Sequence, residues 1–132
     1  MNPRVEFNPI NKVLLIDDDA TANYLSKELL ESMNAAKEIE VAENCLRALK
    51  LITQSSPDVI FLDIKMPAID GFDFLERLKD LALEKTIKVV VLTSSIRAED
   101  RLRAFSFKAV IEYLEKPLTS EKVKFIASTF LN

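Results

Sequence analysis

Two short apolar runs in this sequence end on carboxylates. Val59-Ile60-Phe61-Leu62 leads directly into Asp63, and Val13-Leu14-Leu15-Ile16 into Asp17-Asp18-Asp19. Uninterrupted apolar runs of this length suit parallel strands buried on both faces, and in open α/β sheets ligands bind beyond the carboxyl ends of the strands. A lone aspartate after a strand usually caps or solvates a loop. Two strands that deliver acids to one edge call for another explanation. Two more predicted strands reach polar groups, the β-branched stretch Ile87 to Leu92 ending at Thr93 and Val110 to Leu114 ending near Lys116. Clustered carboxylates repel one another unless one is protonated or a cation intervenes. With no histidine and one cysteine in the chain, the ligands are all oxygen, which selects a hard divalent ion and suits Mg²⁺ better than Ca²⁺. A hydroxyl and an ammonium beside a metal-bound carboxylate are what a phosphoryl group needs, because its oxygens carry charge throughout the transfer. Thr93 alone reads as an ordinary strand residue and Lys116 alone as a surface lysine, but together with the acids the assembly reads as an aspartate that accepts phosphate.

The elements that must position these groups follow from periodicity. Residues 1–11, with Pro3 and Pro9, read as an irregular lead-in. Strands are predicted at Lys12 to Ile16, Glu38 to Val41, Val59 to Leu62, Ile87 to Leu92 and Val110 to Leu114. Ala22, Leu25, Leu29 and Met33 recur at helical spacing and predict a first helix from Ala20 to Met33 that buries them. A second helix, Cys45 to Thr53, would bury Leu46, Leu49 and Ile52 before Ser55-Ser56-Pro57 breaks it. The others run from Gly71 to about Leu81, Ala98 to Phe107, and Ser120 to Phe130. Between Asp63 and the third helix, Ile64-Lys65-Met66-Pro67-Ala68-Ile69-Asp70-Gly71 is a shaped loop, with a proline that fixes φ and the chain's single glycine, which can take φ > 0. Five βα units with short connections require a parallel sheet with right-handed crossovers and helices on both faces. The doubly wound order 2-1-3-4-5, adopted by analogy, makes strands one and three neighbours and brings Asp17, Asp18 and Asp63 into one crevice.

Bulk properties narrow the function. At 132 residues the chain reads as one domain, whose output must come from that domain itself. Its net charge of −3, sequence pI near 5.1 and interspersed charges argue against a nucleic-acid binder with a basic surface. Cys45 cannot form an internal disulfide, and the start lacks the apolar core of a signal peptide. No run approaches a membrane span, so a soluble, cytoplasmic protein is expected.

Asp17-Asp18, Asp63 with Met66-Pro67 and Asp70-Gly71, Thr93-Ser94, and Tyr113 followed by Lys116-Pro117 closely resemble the receiver domain of two-component response regulators, in the single-domain, CheY-like form. The resemblance runs from about Lys12 to Phe130 and implies a flavodoxin-like (βα)5 doubly wound sheet, with residues 12–132 as the response regulatory domain. It implies that Asp63 is the phosphoacceptor, served by a histidine kinase or phosphotransfer protein. It further implies that Asp18, Asp63 and the backbone carbonyl of Lys65 ligate Mg²⁺ directly, and Asp17 through a water. Lys116 would pair with the phosphoryl group, Thr93 would turn its hydroxyl onto it, and Tyr113 would follow inward. The interval from Thr93 to Lys116 is about one residue longer than in the best-known chemotaxis member, which places an irregularity in the connection between helix four and strand five. Val110-Ile111-Glu112 stands where the family usually has a small residue before the tyrosine.

Two other readings compete. Asp17-Asp18-Asp19-Ala20-Thr21 fits the DxDxT signature of haloacid-dehalogenase-like phosphatases, with Asp17 as nucleophile and Asp19 as acid/base. That reading needs a further acidic pair, yet beyond Lys116 only Glu121 is acidic, and it leaves Asp63 idle. A pseudo-receiver adaptor would bind partners without phosphorylation, although every expected phosphorylation residue is present. Lys65 and Ser95, two residues beyond Asp63 and Thr93, are neither acids nor carboxamides that would position water. Slow self-dephosphorylation is therefore expected, with Lys65 shielding the phosphoryl group. Output is expected as binding of a target protein or a second copy through helix four, strand five and helix five.

Overall fold

The computed structural model describes residues 8–67 and 70–131. In chain order they form β1 (Ile10–Ile16), α1 (Ala20–Ser32), β2 (Ala36–Ala42), α2 (Cys45–Gln54), β3 (Val59–Leu62), α3 (Gly71–Asp80), β4 (Lys88–Thr93), α4 (Ala98–Phe105), β5 (Val110–Glu115) and α5 (Ser120–Ile126), whose axis continues in a π-helical turn over Ala127–Leu131. The five strands are parallel and ordered β2-β1-β3-β4-β5, as expected. β1 begins two residues earlier than Lys12, at Ile10, and most of the expected lead-in lies outside the described residues.

Alternation along the central strands divides the core in two. Leu14, Ile16, Ile60, Leu62, Val89 and Val91 face α2, α3 and α4, where Leu51, Ile52, Phe74, Leu75, Leu78 and Ala104 meet them. Val13, Leu15, Val59, Phe61, Val90 and Leu92 face α1 and α5, against Leu30, Val123 and Ile126. Successive strand side chains point to opposite faces, so only strands covered on both sides can be apolar throughout.

The buried faces of two helices differ from the hydropathy reading. α1 turns Asn23, Ser26 and Leu30 inward and leaves Leu25 exposed, with Ala22, Leu29 and Met33 only part-buried. The Asn23 amide donates to the Asp17 carbonyl at 2.8 Å, and this satisfied bond allows a polar residue on the core face. α2 buries Cys45, Ala48, Leu51 and Ile52, while Leu46 points to solvent and Leu49 packs at the margin.

The pairing of β4 with β5 carries one irregularity. Val89 pairs with Val110 but Val90 pairs with Glu112, so Ile111 is an unpaired insertion. A bulge of this kind absorbs one residue and restores the register downstream. Thr93 consequently faces Glu115, next to Lys116.

Gly71 is required for space, not for a left-handed backbone, since no glycine has positive φ. A Cβ there would lie 2.6 Å from Ile64 Cα and 2.9 Å from the Asp63 carbonyl oxygen. The first turn of α3 can sit against the turn after β3 only because that atom is missing.

Candidate functional site

Hydrogen bonds that extend the sheet by one step fix the residues beyond the strands. The Asp17 N–H donates to the Ala42 carbonyl (3.1 Å), Asp63 to Ile16 (2.9 Å) and Lys116 to Thr93 (2.9 Å). The ladder therefore sets where Asp17, Asp63 and Lys116 leave the sheet, and all of them emerge on its carboxyl edge. Carboxylate oxygens of Asp17, Asp18 and Asp63 all lie within 4.8 Å of one another. Asp17 and Asp63 are buried and Asp18 is exposed.

The Asp63 carboxylate is surrounded by donors. Its Oδ1 accepts from the Lys65 N–H at 3.0 Å and the Thr93 hydroxyl at 2.9 Å, and its Oδ2 accepts from the Lys116 ammonium at 3.1 Å. Lys116 also reaches Asp17 Oδ2 at 2.6 Å. Burial alone would lower the Lys116 pKa, but the hydrogen bonds it donates to Asp17 and Asp63 outweigh it and hold the ammonium above its usual range. Burial pushes the Asp17 carboxyl up, against the pull of Lys116 and the Asp19 N–H. Both directions describe a desolvated acid cluster with one protein cation to offset it.

Three acidic oxygens on one edge, without nitrogen or sulfur donors, form a set that a hard divalent cation fits. Asp19 is not part of that cluster. Its Oδ1 accepts from the Thr21 N–H at 2.9 Å and the Ala22 N–H at 3.3 Å, capping α1. Tyr113 is buried, and its hydroxyl donates to the Ser95 carbonyl at 3.0 Å. Thr93 and Tyr113 are thus both buried, with their hydroxyls directed to Asp63 Oδ1 and the Ser95 carbonyl. The Lys65 ammonium lies 3.4 Å from Asp100 Oδ2, not among the Asp63 contacts. Asn23 and Asp100 escaped the sequence reading. A polar residue in phase with Leu30 on α1 was the available signal for Asn23, whereas nothing local marks Asp100.

A doubly wound α/β sheet with an acid cluster, a hydroxyl and a lysine on its carboxyl edge defines a receiver fold. The description "Response regulator receiver domain" matches residues 13–127, and the chain belongs to that family. It is similar to a two-component response regulator of Cytophaga hutchinsonii, with a TM-score of 0.87 at 27% identity, covering 95% of this chain and 99% of that one. The response regulator TrrA of Thermotoga maritima, crystallised with Mg²⁺-BeF, gives a TM-score of 0.76 at 27% identity over 92% of this chain and 100% of that one. Among curated proteins, the protein-glutamate methylesterase/protein-glutamine glutaminase 3 of Burkholderia thailandensis is 39% identical over 106 residues, which are 80% of this chain. The match spans 29% of that relative's length. No helix among the described residues is long and apolar enough to cross a membrane.

Proposed function

We propose that residues 12–132 act as a cytoplasmic receiver that takes a phosphoryl group from a histidine kinase or phosphotransfer protein onto Asp63. The donor's N–P bond breaks as an Asp63 carboxylate oxygen forms the new O–P bond, and the freed imidazole takes up a proton. The observation that carries this reading is the convergence of Lys65 N–H, Thr93 Oγ and Lys116 Nζ on the one carboxylate. Donors already aimed at a group that gains charge lower the barrier without reorganising during the reaction. Asp17, Asp18, Asp63 and the Lys65 carbonyl would hold Mg²⁺. When bound, the ion supplies positive charge that offsets carboxylate repulsion and the incoming phosphoryl charge. The Mg²⁺-BeF bound to TrrA supports the same use of this chain's acidic edge.

The protein is proposed to turn over nothing but its own phosphoryl group, and to signal through the face of α4, β5 and α5 to a target protein or a second copy. Against the phosphatase alternative, Asp19 lies outside the acid cluster and its Oδ1 caps α1. The test is exposure to acetyl phosphate and Mg²⁺ followed by peptide mapping by mass spectrometry. The label is expected on Asp63, absent in Asp63→Asn and in excess chelator. Label on Asp17 would return the phosphatase reading, and no label anywhere would leave a partner-binding adaptor.

A further inference from the structure

Asp63 belongs to a closed circuit of polar contacts. Its Oδ1 accepts from Thr93 Oγ1, which in turn accepts the Ser95 N–H at 3.3 Å. The Ser95 hydroxyl donates to Asp100 Oδ2 at 2.6 Å, and the same oxygen takes the Lys65 ammonium at 3.4 Å. The Lys65 N–H then returns to Asp63 Oδ1. The circuit thus runs from the turn after β3 to the loop after β4, through the first turn of α4, and back. Asp100 is the member that α4 contributes. At the Ser95 corner the Tyr113 hydroxyl is attached through the Ser95 carbonyl.

An acid in the first turn of a helix is favourable by itself, because it meets the positive end of the helix dipole. Glu99 fills that role while exposed, paired with its neighbour Arg97. Asp100 differs in having a side chain only 14% exposed and two contacts with other elements. Its carboxyl is held below the usual range, chiefly by the Ser95 hydroxyl and further by Lys65, against the cost of burial.

We propose that Asp100 is a positioning residue that ties α4 to the Asp63 pocket. Through Ser95 it sets the loop after β4 where Thr93 reaches Asp63 and where the Ser95 carbonyl receives Tyr113, and through Lys65 it steadies the opposite loop. The signalling consequence rests on Asp63 being the phosphoacceptor: an anion placed there competes with Asp100 for Lys65, so a charge at the pocket is transmitted to α4. The positional claim itself does not depend on that reading.

The chain has two tyrosines, exposed Tyr24 and buried Tyr113, so 3-fluorotyrosine gives a reporter and an internal control. In the parent protein the Tyr113 fluorine should show little shift between H₂O and D₂O, and Tyr24 a full one. In Asp100→Ala the Tyr113 signal should move or split and acquire the solvent response of Tyr24. Asp100→Asn keeps an acceptor for Ser95 but loses the charge for Lys65, and should fall between. Ser95→Ala breaks the circuit from the loop side and carries the test if Asp100→Ala does not fold. A folded variant of either kind with the parent's Tyr113 shift and solvent response overturns the proposal. A second arm adds beryllofluoride with Mg²⁺ and follows the amide signals of α4, which should respond in the parent and not in Asp100→Ala. A parent that binds no beryllofluoride would remove the phosphoacceptor reading while the fluorine result stands by itself.

Discussion

The Lys116 ammonium lies 2.6 Å from Asp17 Oδ2, closer than its 3.1 Å approach to Asp63 Oδ2, so one cation bridges two buried carboxylates. Lys116→Met should therefore leave both acids unpaired. The expected loss is roughly 2 kcal/mol at neutral pH, smaller than for a fully enclosed pair because the lysine keeps some contact with water. The sign with pH follows from the raised lysine pKa. The contribution is present below the ordinary lysine value of 10.5 and disappears as pH rises through the higher folded value. Urea titrations from pH 7 upward should show the parent and Lys116→Met converging above that point. A constant gap would mean that the ammonium charge is not what Lys116 contributes.

Much of this site can be read from the sequence because the central strands are buried on both sides. Val13 to Ile16 and Val59 to Leu62 are apolar without a break, so the polar residues at their ends stand out. The α1 face was harder to read. Asn23 and Ser26 take core positions while Leu25 is exposed, and hydropathy cannot tell that an amide is satisfied by a carbonyl across the interface. The bulge at Ile111 depends on strand pairing, which no local residue pattern specifies. The Asp100 contacts depend on how the chain turns between Ser95 and Arg97, which no residue pattern specifies.

Mg²⁺ should stabilise the folded chain if the three acids hold it. A ligand that binds only the native state at about ten times its Kd adds roughly 1.4 kcal/mol. Thermal unfolding should therefore shift upward in the parent and far less in Asp18→Asn. Asp18 is the exposed member of the cluster, so its replacement should cost little stability in the absence of metal. An equal Mg²⁺ shift in both proteins would place the ion elsewhere.

The end of α3 offers a stabilising change remote from the site. The Ala82 N–H donates to the Lys79 carbonyl and the Leu83 N–H to the Leu78 carbonyl, both at 3.0 Å, with Ala82 at φ 59°. This helix ending favours glycine, because a Cβ in the left-handed region meets its own backbone. Ala82→Gly should raise stability by about 0.5–1 kcal/mol, after the greater freedom of glycine in the unfolded chain is subtracted. Chemical denaturation with an unchanged m-value is the appropriate check.

Gly71 links stability to the chemistry of Asp63 more directly. A methyl at this position would meet Ile64 Cα, the Asp63 carbonyl oxygen and Ile64 Cγ2 at 2.6, 2.9 and 3.0 Å. The two shortest contacts are to backbone, so no rotamer change relieves them, and the turn after β3 must move. Overpacking of this kind costs about 2 kcal/mol, partly offset by the better helix propensity of alanine. The moved turn carries the Lys65 N–H that holds Asp63 Oδ1. Misplacing a reacting group by a fraction of an ångström is enough to slow transfer, so Gly71→Ala should label with acetyl phosphate roughly tenfold more slowly. Leu78→Val supplies the control, because it trims the same helix where Leu78 is fully buried, away from the turn. At a temperature where both variants are folded, Leu78→Val should label at the parent rate. Equal labelling in the two variants would mean that Gly71 serves the packing of α3 and not the placement of Asp63.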